Sequence, residues 1–396
     1  MMTRTAILFG CFLVAAPIFG QGARQPIVIG ETLAIESRIL SESRPVYVAV
    51  PPSYDQTTQR YAVLYVLDGD SQFQHTVTST QFLGGFANQM IPPLLVVGIG
   101  NTNRMRDMTP PSEVQETAFL AQGGADQFLS FITEELKPWV EANYRTNDYS
   151  VLIGHSLGGL FALHAFFSQP DSFGSFLIID PSVNWNNQAL LGEAGVFLAG
   201  EPDLNASLNL IVSGDEESES NGVQRLVDLL DAQPPNGLRW TVTPIVAESH
   251  DSVPLPGIYR GLQWIFSDWD VEDQAEAMFD DAAAEEIFES IDELYRMSGE
   301  KYGLERQTPY LVFESLLGYL AEDGRLDEAA ELTLLHSDRY PLPLVPNVIA
   351  GIAQMFVDNG DEDAAIDYLS AVLKVYPGNE TASEALINIG VEPPTE

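Results

Sequence analysis

A glycine-rich segment at residues 151–159 places the tightest restriction on how this chain can fold. Three apolar residues, predicted to end a buried strand, run into a Gly-x-Ser-x-Gly motif, and an apolar helix is predicted over residues 160–167. In such a strand–turn–helix the serine adopts strained backbone angles that raise its hydroxyl above the sheet. Gly154 and Gly158 are expected because a Cβ at either place would collide across the turn. The motif therefore predicts that Ser156 is a nucleophile.

A nucleophilic serine needs a base, and hydrolases built on this turn have the chain order serine, acid, histidine. The chain has five histidines. Four of them are excluded by position: His75 precedes the serine, His155 is inside the motif and points away from the hydroxyl, His164 packs within the apolar helix, and His336 lies in the C-terminal region. His250 follows a strand-like segment at 239–246 and is predicted to be the general base.

The acid that orients the histidine is expected after the preceding strand, predicted at residues 208–213. Gly214 is followed there by several carboxylates. The spacing Gly-x-x-acid selects Glu217, because the glycine lets the chain turn before the carboxylate reaches back to the imidazole. Asp215 and Glu219 remain alternatives, and a solvated acidic loop is the competing interpretation of the whole run.

Two backbone N–H groups are predicted to bind the oxyanion. One belongs to Leu157, directly after the nucleophile, at the start of a helix whose dipole favours negative charge. The other is expected from the loop after the strand predicted at 61–67, where Gly69 allows a close approach and Asp70 supplies the N–H.

Residues from about 26 to 270 resemble the putative-esterase (esterase D-like) family of α/β-hydrolases, which includes feruloyl esterases, siderophore-lactone esterases and mycolyltransferases. The segments that carry the resemblance are 67–70, 101–110, 154–159, 180–185 and 248–250. The resemblance implies ester hydrolysis by a Ser–Glu–His triad that needs neither a metal nor a cofactor. It also implies that the loop beginning at Arg104 lies beside the active site and that Trp185 lines the acyl or alcohol pocket. A packed surface aromatic is the alternative for Trp185.

The chain is predicted to have three parts. Residues 1–22 have the charge and apolar run of a secretory signal peptide, which predicts a periplasmic or secreted protein. Residues 23–270 alternate strands and helices, including an amphipathic helix over 127–144, and predict a doubly wound, mostly parallel sheet. Cys11, the only cysteine, lies in the predicted signal peptide, so the mature chain is expected to have no disulfide.

Residues 271–396 are predicted to be all helical, with an internal repeat of 36 residues. The repeat pairs Gly324 with Gly360, Ala329 with Ala365, and Tyr340-Pro341 with Tyr376-Pro377. Small packing residues, a glycine turn and a closing proline are typical of tetratricopeptide-like hairpins. Such hairpins hold peptides in a groove in some proteins. Packing on the hydrolase, where they would shape its cleft, is the alternative.

The composition excludes several kinds of partner. The formal net charge is −39, with 57 acidic and 18 basic residues, so nucleic acid and anionic lipid surfaces would be repelled. Beyond the predicted signal peptide no apolar run is long enough to span a membrane. The sequence therefore predicts a serine esterase acting on a small-molecule ester. An acyltransferase, a siderophore-lactone or feruloyl esterase, and a non-catalytic scaffold that uses the helical repeats are the alternatives.

Overall fold

The protein is described by a computed structural model that covers residues 24, 26–85, 89–111, 123–215, 222–336, 339 and 346–393. Eight strands form one sheet in the order β1-β2-β4-β3-β5-β6-β7-β8. The strands are β1 (Glu31–Ser37), β2 (Glu42–Ala49), β3 (Tyr61–Val66), β4 (Leu94–Ile99), β5 (Thr146–His155), β6 (Ser175–Ile179), β7 (Ser207–Ser213) and β8 (Arg239–Ile245). Only β2 runs antiparallel to its neighbours, β1 and β4. The predicted mostly parallel α/β fold is confirmed.

The central strands are buried on both faces. Every residue of β3, β4 and β6 is buried, which is typical of parallel strands with helices on both sides. The strand predicted at 239–246 is β8, which ends one residue earlier. It is an edge strand and pairs only with β7.

Helices cover both faces of this sheet. They are α1 (Gly69–Leu83), α2 (Arg104–Met108), α3 (Ala125–Ser130), α4 (Lys137–Asn143), α5 (Leu157–Ser168), α6 (Trp185–Ala199), α7 (Val223–Ala232) and α8 (Pro254–Ile265). The helix predicted over 127–144 corresponds to α3 and α4, joined by a π-helical turn at Phe131–Leu136. Its predicted apolar face, from Phe128 to Val140, is buried.

In the described part of the C-terminal region, helices are the only regular elements. They are α9 (Glu272–Glu276), α10 (Ala284–Glu300), α11 (Tyr310–Glu322), α12 (Leu326–Leu335), α13 (Pro346–Asp358), α14 (Glu362–Val375) and α15 (Glu380–Asn388). The pair α13 and α14 begins 36 residues after the pair α11 and α12. Gly324 and Gly360, in the turns within the two pairs, share a φ of +81°, which favours glycine. Tyr340 and Pro341 lie outside the described residues. The tetratricopeptide assignment and a peptide partner remain predictions.

The helical region contacts the α/β region at the end of the sheet opposite Ser156. The ring of Tyr302, which is fully buried, contacts Tyr149, Phe266 and Trp269. The backbone carbonyl of Tyr302 accepts a hydrogen bond of 2.8 Å from Asn147 Nδ2. Asn147 lies at the start of β5, and at about 3.3 Å per residue its Cα is on the order of 30 Å from that of Ser156. The helical region therefore packs on the sheet, as one hypothesis from the sequence expected, but these contacts lie far from the serine.

The apolar packing changes near residue 270, although the change is not complete. Trp269 packs in a core on one face of the sheet that also includes Tyr302 and Leu304, whereas Val271 packs with the C-terminal helices. The domain boundary near residue 270 remains a prediction. In the described part of the chain, no helix has the length and apolarity needed to cross a bilayer.

Candidate active site

Ser156 is held in a strained turn between β5 and α5. Its φ of 59° and ψ of −118° are rare for a residue with a side chain, and such strain is concentrated at functional sites. Two backbone hydrogen bonds of 3.0 Å hold the turn: Ser156 N–H donates to the Ile179 carbonyl, and the Ser156 carbonyl accepts from Ser182 N–H. The hydroxyl oxygen lies 3.3 Å from that of Ser182.

The glycines around the serine are required to different degrees. A Cβ on Gly154 would lie 2.2 Å from the Gly158 carbonyl oxygen. Because that oxygen belongs to the backbone, no side-chain movement could relieve the clash. A Cβ on Gly159 would lie 2.9 Å from Pro181 Cα. At Gly158 the nearest atom is a side-chain oxygen of Asp68, at 3.3 Å. The expected collision across the turn is therefore correct for Gly154 and wrong for Gly158.

His250 lies in the loop between β8 and α8, and its ring is hydrogen-bonded to a buried carboxylate. Nδ1 lies 2.7 Å from Asp180 Oδ2. Asp180 is fully buried and directly follows β6. Its carboxylate also accepts from Ser213, through the backbone N–H at 3.2 Å and the hydroxyl at 2.9 Å. These bonds fix the carboxylate and, through it, the rotation of the imidazole.

Asp180 is not among the three carboxylates predicted from the sequence. Those three follow β7, whereas Asp180 follows β6. Glu217 and Glu219 lie outside the described residues. Asp215 is described, and its Oδ2 accepts from the backbone N–H of His250 at 2.6 Å, so it contacts the main chain of the histidine. The available signal for Asp180 was an aspartate directly after an apolar strand, at the same edge as Ser156.

His155 lies against His250. Its Nε2 is 2.9 Å from the His250 carbonyl oxygen, and the two ring centroids are 4.7 Å apart. Burial, together with the nearby positive charge that His250 can carry, lowers the pKa of His155 from 6.5 to about 4. At neutral pH His155 is therefore uncharged.

The segment that carries Asp70 is held against β2, β4 and the loop that follows β4. The Asp70 carboxylate accepts from the Tyr47 hydroxyl and from Asn101 N–H, both at 2.8 Å. A Cβ on Gly69 would lie 2.8 Å from the Gly98 backbone, so the glycine permits a close approach to β4. On the other side of the cleft, Leu157 begins α5, where the first N–H groups have no acceptor within the helix.

Arg104 links this segment to the serine turn. Its guanidinium binds both carboxylate oxygens of Asp68, at 2.6 and 2.9 Å, and Nη2 lies 3.3 Å from the His155 carbonyl oxygen. The short helix α2, which begins with Arg104, is anchored by a buried ion pair of 2.8 Å between Arg44 and Asp107. Arg104 thus lies beside the turn with its charge already paired.

Trp185 lies where the chain leaves Asp180 and enters α6. Its ring is half-buried, and Nε1 lies 3.4 Å from the Pro110 carbonyl oxygen. The next three residues have left-handed φ values of 49°, 55° and 64° at Asn186, Asn187 and Gln188. The pocket role of Trp185 remains a prediction. Among the described residues, no three His, Cys, Asp or Glu side chains are grouped so that they could hold a metal ion.

Residues 37–228 match the model of the family described as putative esterase. The match covers just under half of the chain, and over this region the chain is similar to that family. The chain is 28% identical over 255 residues to the ferri-bacillibactin esterase of Bacillus subtilis, over 58% of this chain and 88% of that protein. It is also 28% identical over 243 residues to the siderophore triacetylfusarinine C esterase of Aspergillus fumigatus, over 52% of this chain and 82% of that protein.

A solved structure with the same fold is the IroE-like serine hydrolase from Shewanella oneidensis. Its TM-score with this esterase is 0.63 at 28% sequence identity, and the match covers 76% of this chain and 97% of that chain. The predicted resemblance and the predicted enzyme class are both confirmed: the protein is a serine esterase.

Proposed function

We propose that this esterase hydrolyses carboxylic esters through an acyl-enzyme on Ser156, with His250 as the general base and Asp180 as the orienting acid. One observation carries the proposal: Asp180 Oδ2 lies 2.7 Å from His250 Nδ1, and Asp180 follows Ile179, whose carbonyl binds Ser156 N–H. A proton held on Nδ1 by the carboxylate makes Nε2 the unprotonated nitrogen of the neutral ring. That nitrogen is then able to act as a base.

The reaction proceeds in two halves. Nε2 of His250 accepts the Ser156 proton as Oγ attacks the acyl carbonyl, and the Asp180 carboxylate stabilises the imidazolium. The tetrahedral oxyanion accepts hydrogen bonds from the N–H groups of Leu157 and Asp70, and losing one such donor costs about 3 kcal/mol. The imidazolium protonates the leaving alcohol, and water, deprotonated by the same histidine, then releases the acid.

Asp180 competes with Glu217 for the role of orienting acid. The burial of Asp180 and its two bonds from Ser213 favour Asp180, because a fixed and desolvated carboxylate interacts strongly with an imidazolium. The Gly-x-x-acid spacing favours Glu217. Single substitutions of the two carboxylates separate them.

The substrate class is proposed to be the ester or lactone backbone of a siderophore. The named activities of the similar Bacillus and Aspergillus proteins support this assignment. The predicted signal peptide supports a periplasmic or secreted location. The Arg104 loop and Trp185 are proposed to form the pocket walls.

The deciding experiment combines labelling with a substrate panel. A fluorophosphonate probe should label Ser156, as read by peptide mass, and the Ser156→Ala variant should remain unlabelled. Ferric enterobactin, ferric triacetylfusarinine C, a feruloyl ester and p-nitrophenyl butyrate are then compared by kcat/KM, with products separated by chromatography. Turnover of the feruloyl ester alone would overturn the substrate class. Failure to label Ser156 would overturn the mechanism.

A further inference from the structure

The backbone of His250 is held on both sides by side chains from neighbouring loops. Its N–H donates to Asp215 Oδ2 at 2.6 Å, and its carbonyl lies 2.9 Å from His155 Nε2. His155 ends β5, and Asp215 lies just beyond β7. These two contacts are separate from the ring contact between Nδ1 and Asp180.

We propose that His155 and Asp215 are positioning residues that clamp the main chain of His250 and so set the place of its Nε2 relative to Ser156. This proposal rests on the catalytic role of His250 proposed above. The clamp acts on the backbone, whereas Asp180 orients the ring. Asp215, an alternative triad acid in the sequence argument, thereby has a different role.

The loop that carries His250 needs such a clamp because of its place in the sheet. It follows β8, an edge strand that pairs with β7 alone, and the His250 side chain is 31% exposed. The ring contacts with Asp180 and His155 orient the imidazole, whereas the two backbone contacts hold the main chain of the loop at His250 itself. A displacement of about 1 Å at a reacting group can cost on the order of 10²-fold in rate.

A histidine at residue 155 suits the position beside His250, because a neutral imidazole donates a hydrogen bond without carrying a charge. The bond to a carbonyl oxygen requires the proton of His155 to be on Nε2. His250 becomes an imidazolium during each turnover, and a second cation 4.7 Å away would oppose that step.

The charged groups near His155 do not outweigh the preference of its ring for the neutral form. The charge of His250 lowers the pKa of His155, whereas the hydrogen bond to the His250 carbonyl and the carboxylates of Asp68 and Asp180 raise it. The guanidinium of Arg104, near the His155 carbonyl, is paired with Asp68. Burial outweighs the two carboxylates, so the ring stays neutral at the pH of the reaction.

Two matched pairs of variants test the clamp. His155→Gln keeps an N–H donor near the position of Nε2, whereas His155→Phe keeps a flat ring without a donor. Asp215→Asn keeps an acceptor, whereas Asp215→Leu removes it. For p-nitrophenyl butyrate we expect His155→Phe and Asp215→Leu to lower kcat by about 10- to 100-fold with little change in KM. The Gln and Asn variants should keep kcat within a few-fold of the wild type.

The outcomes separate the clamp from mere packing and from the triad. If all four variants keep the wild-type kcat and only lower the melting temperature, the clamp is wrong. If Gln and Phe at residue 155 are equally damaging, the N–H donor has no role and the clamp is also wrong. Asp215 is partly exposed, so its two variants provide the test even if His155→Phe does not fold. Retained activity in His250→Ala would instead remove the proposed triad.

Discussion

Asp180 Oδ2 lies 2.7 Å from His250 Nδ1, although the two residues follow strands that are not neighbours in the sheet. β7 lies between β6 and β8, so the strand axes that lead to the two residues are about 10 Å apart. The positive φ of Asp180, 43°, bends the chain directly after β6, and the loop after β8 brings the histidine back over β7. The pair is thus formed by two loops that converge above β7, the strand after which the acid was predicted from the sequence.

Ser156→Ala should lower kcat for ester hydrolysis by about 10⁶-fold while leaving the fold intact, because no other group replaces the nucleophile. Steady-state kinetics with p-nitrophenyl butyrate and a thermal melt measure the two effects. Ser182→Ala is the matched control, since its hydroxyl lies 3.3 Å from that of Ser156 and takes no covalent part in the mechanism. A larger loss in Ser182→Ala than in Ser156→Ala would contradict the assignment.

Asp180→Asn should lower kcat by about 10⁴-fold, because the amide permits the wrong imidazole tautomer and does not stabilise the imidazolium. Glu217→Gln should change kcat by no more than a few-fold. Both variants are compared with the wild type at the pH optimum, with circular dichroism as the control for folding. The reverse order of effects would show that the acid follows β7, as the spacing argument predicted.

The stability of the protein should depend on the titration of His155. Its pKa is about 4 in the folded protein and near 6.5 when unfolded, so between these values the unfolded chain binds more protons. The free energy of unfolding should therefore fall as the pH is lowered from 6.5 to 4. In His155→Gln the dependence should be weaker by roughly 1 kcal/mol per pH unit, as measured by urea unfolding at several pH values. Equal slopes in the two proteins would show that His155 titrates normally.

A chain that ends near Trp269 should retain ester hydrolysis, because the helical region contacts the sheet at the end opposite Ser156. The ratio of kcat/KM for an acetyl ester to that for a bulky aryl ester should not change. Solubility should fall, since Tyr149, Phe266 and Trp269 lose the cover of Tyr302.

Tyr302→Ala in the full chain provides a milder test of the same contact. It should lower the free energy of unfolding by about 3–5 kcal/mol, as for other buried aromatic residues, without changing kcat at 25 °C. Loss of acetyl esterase activity in a folded, soluble truncation would contradict the separation of the helices from the cleft.

The sequence by itself determined the features that depend on neighbouring residues. The strand, serine turn and helix from β5 to α5 are encoded within a short stretch, because turn geometry depends on local glycines and on the apolar pattern. The helical hairpins were also predictable, since a repeat of 36 residues with paired glycines sets successive helix starts. His250 was selected by chain order among only five histidines.

The tertiary structure alone decided which side chains meet. Asp180 and Asp215 both follow apolar strands, and nothing local distinguishes the carboxylate that reaches the ring from the one that binds the backbone. The direction of each loop and the spacing of the strands settle that question. The contact of Asp68 with Gly158 and that of Tyr302 with Tyr149 are likewise set by the tertiary structure. These contacts join residues far apart in the chain, and their geometry follows from how the whole sheet twists and packs, which the pattern of single residues does not encode.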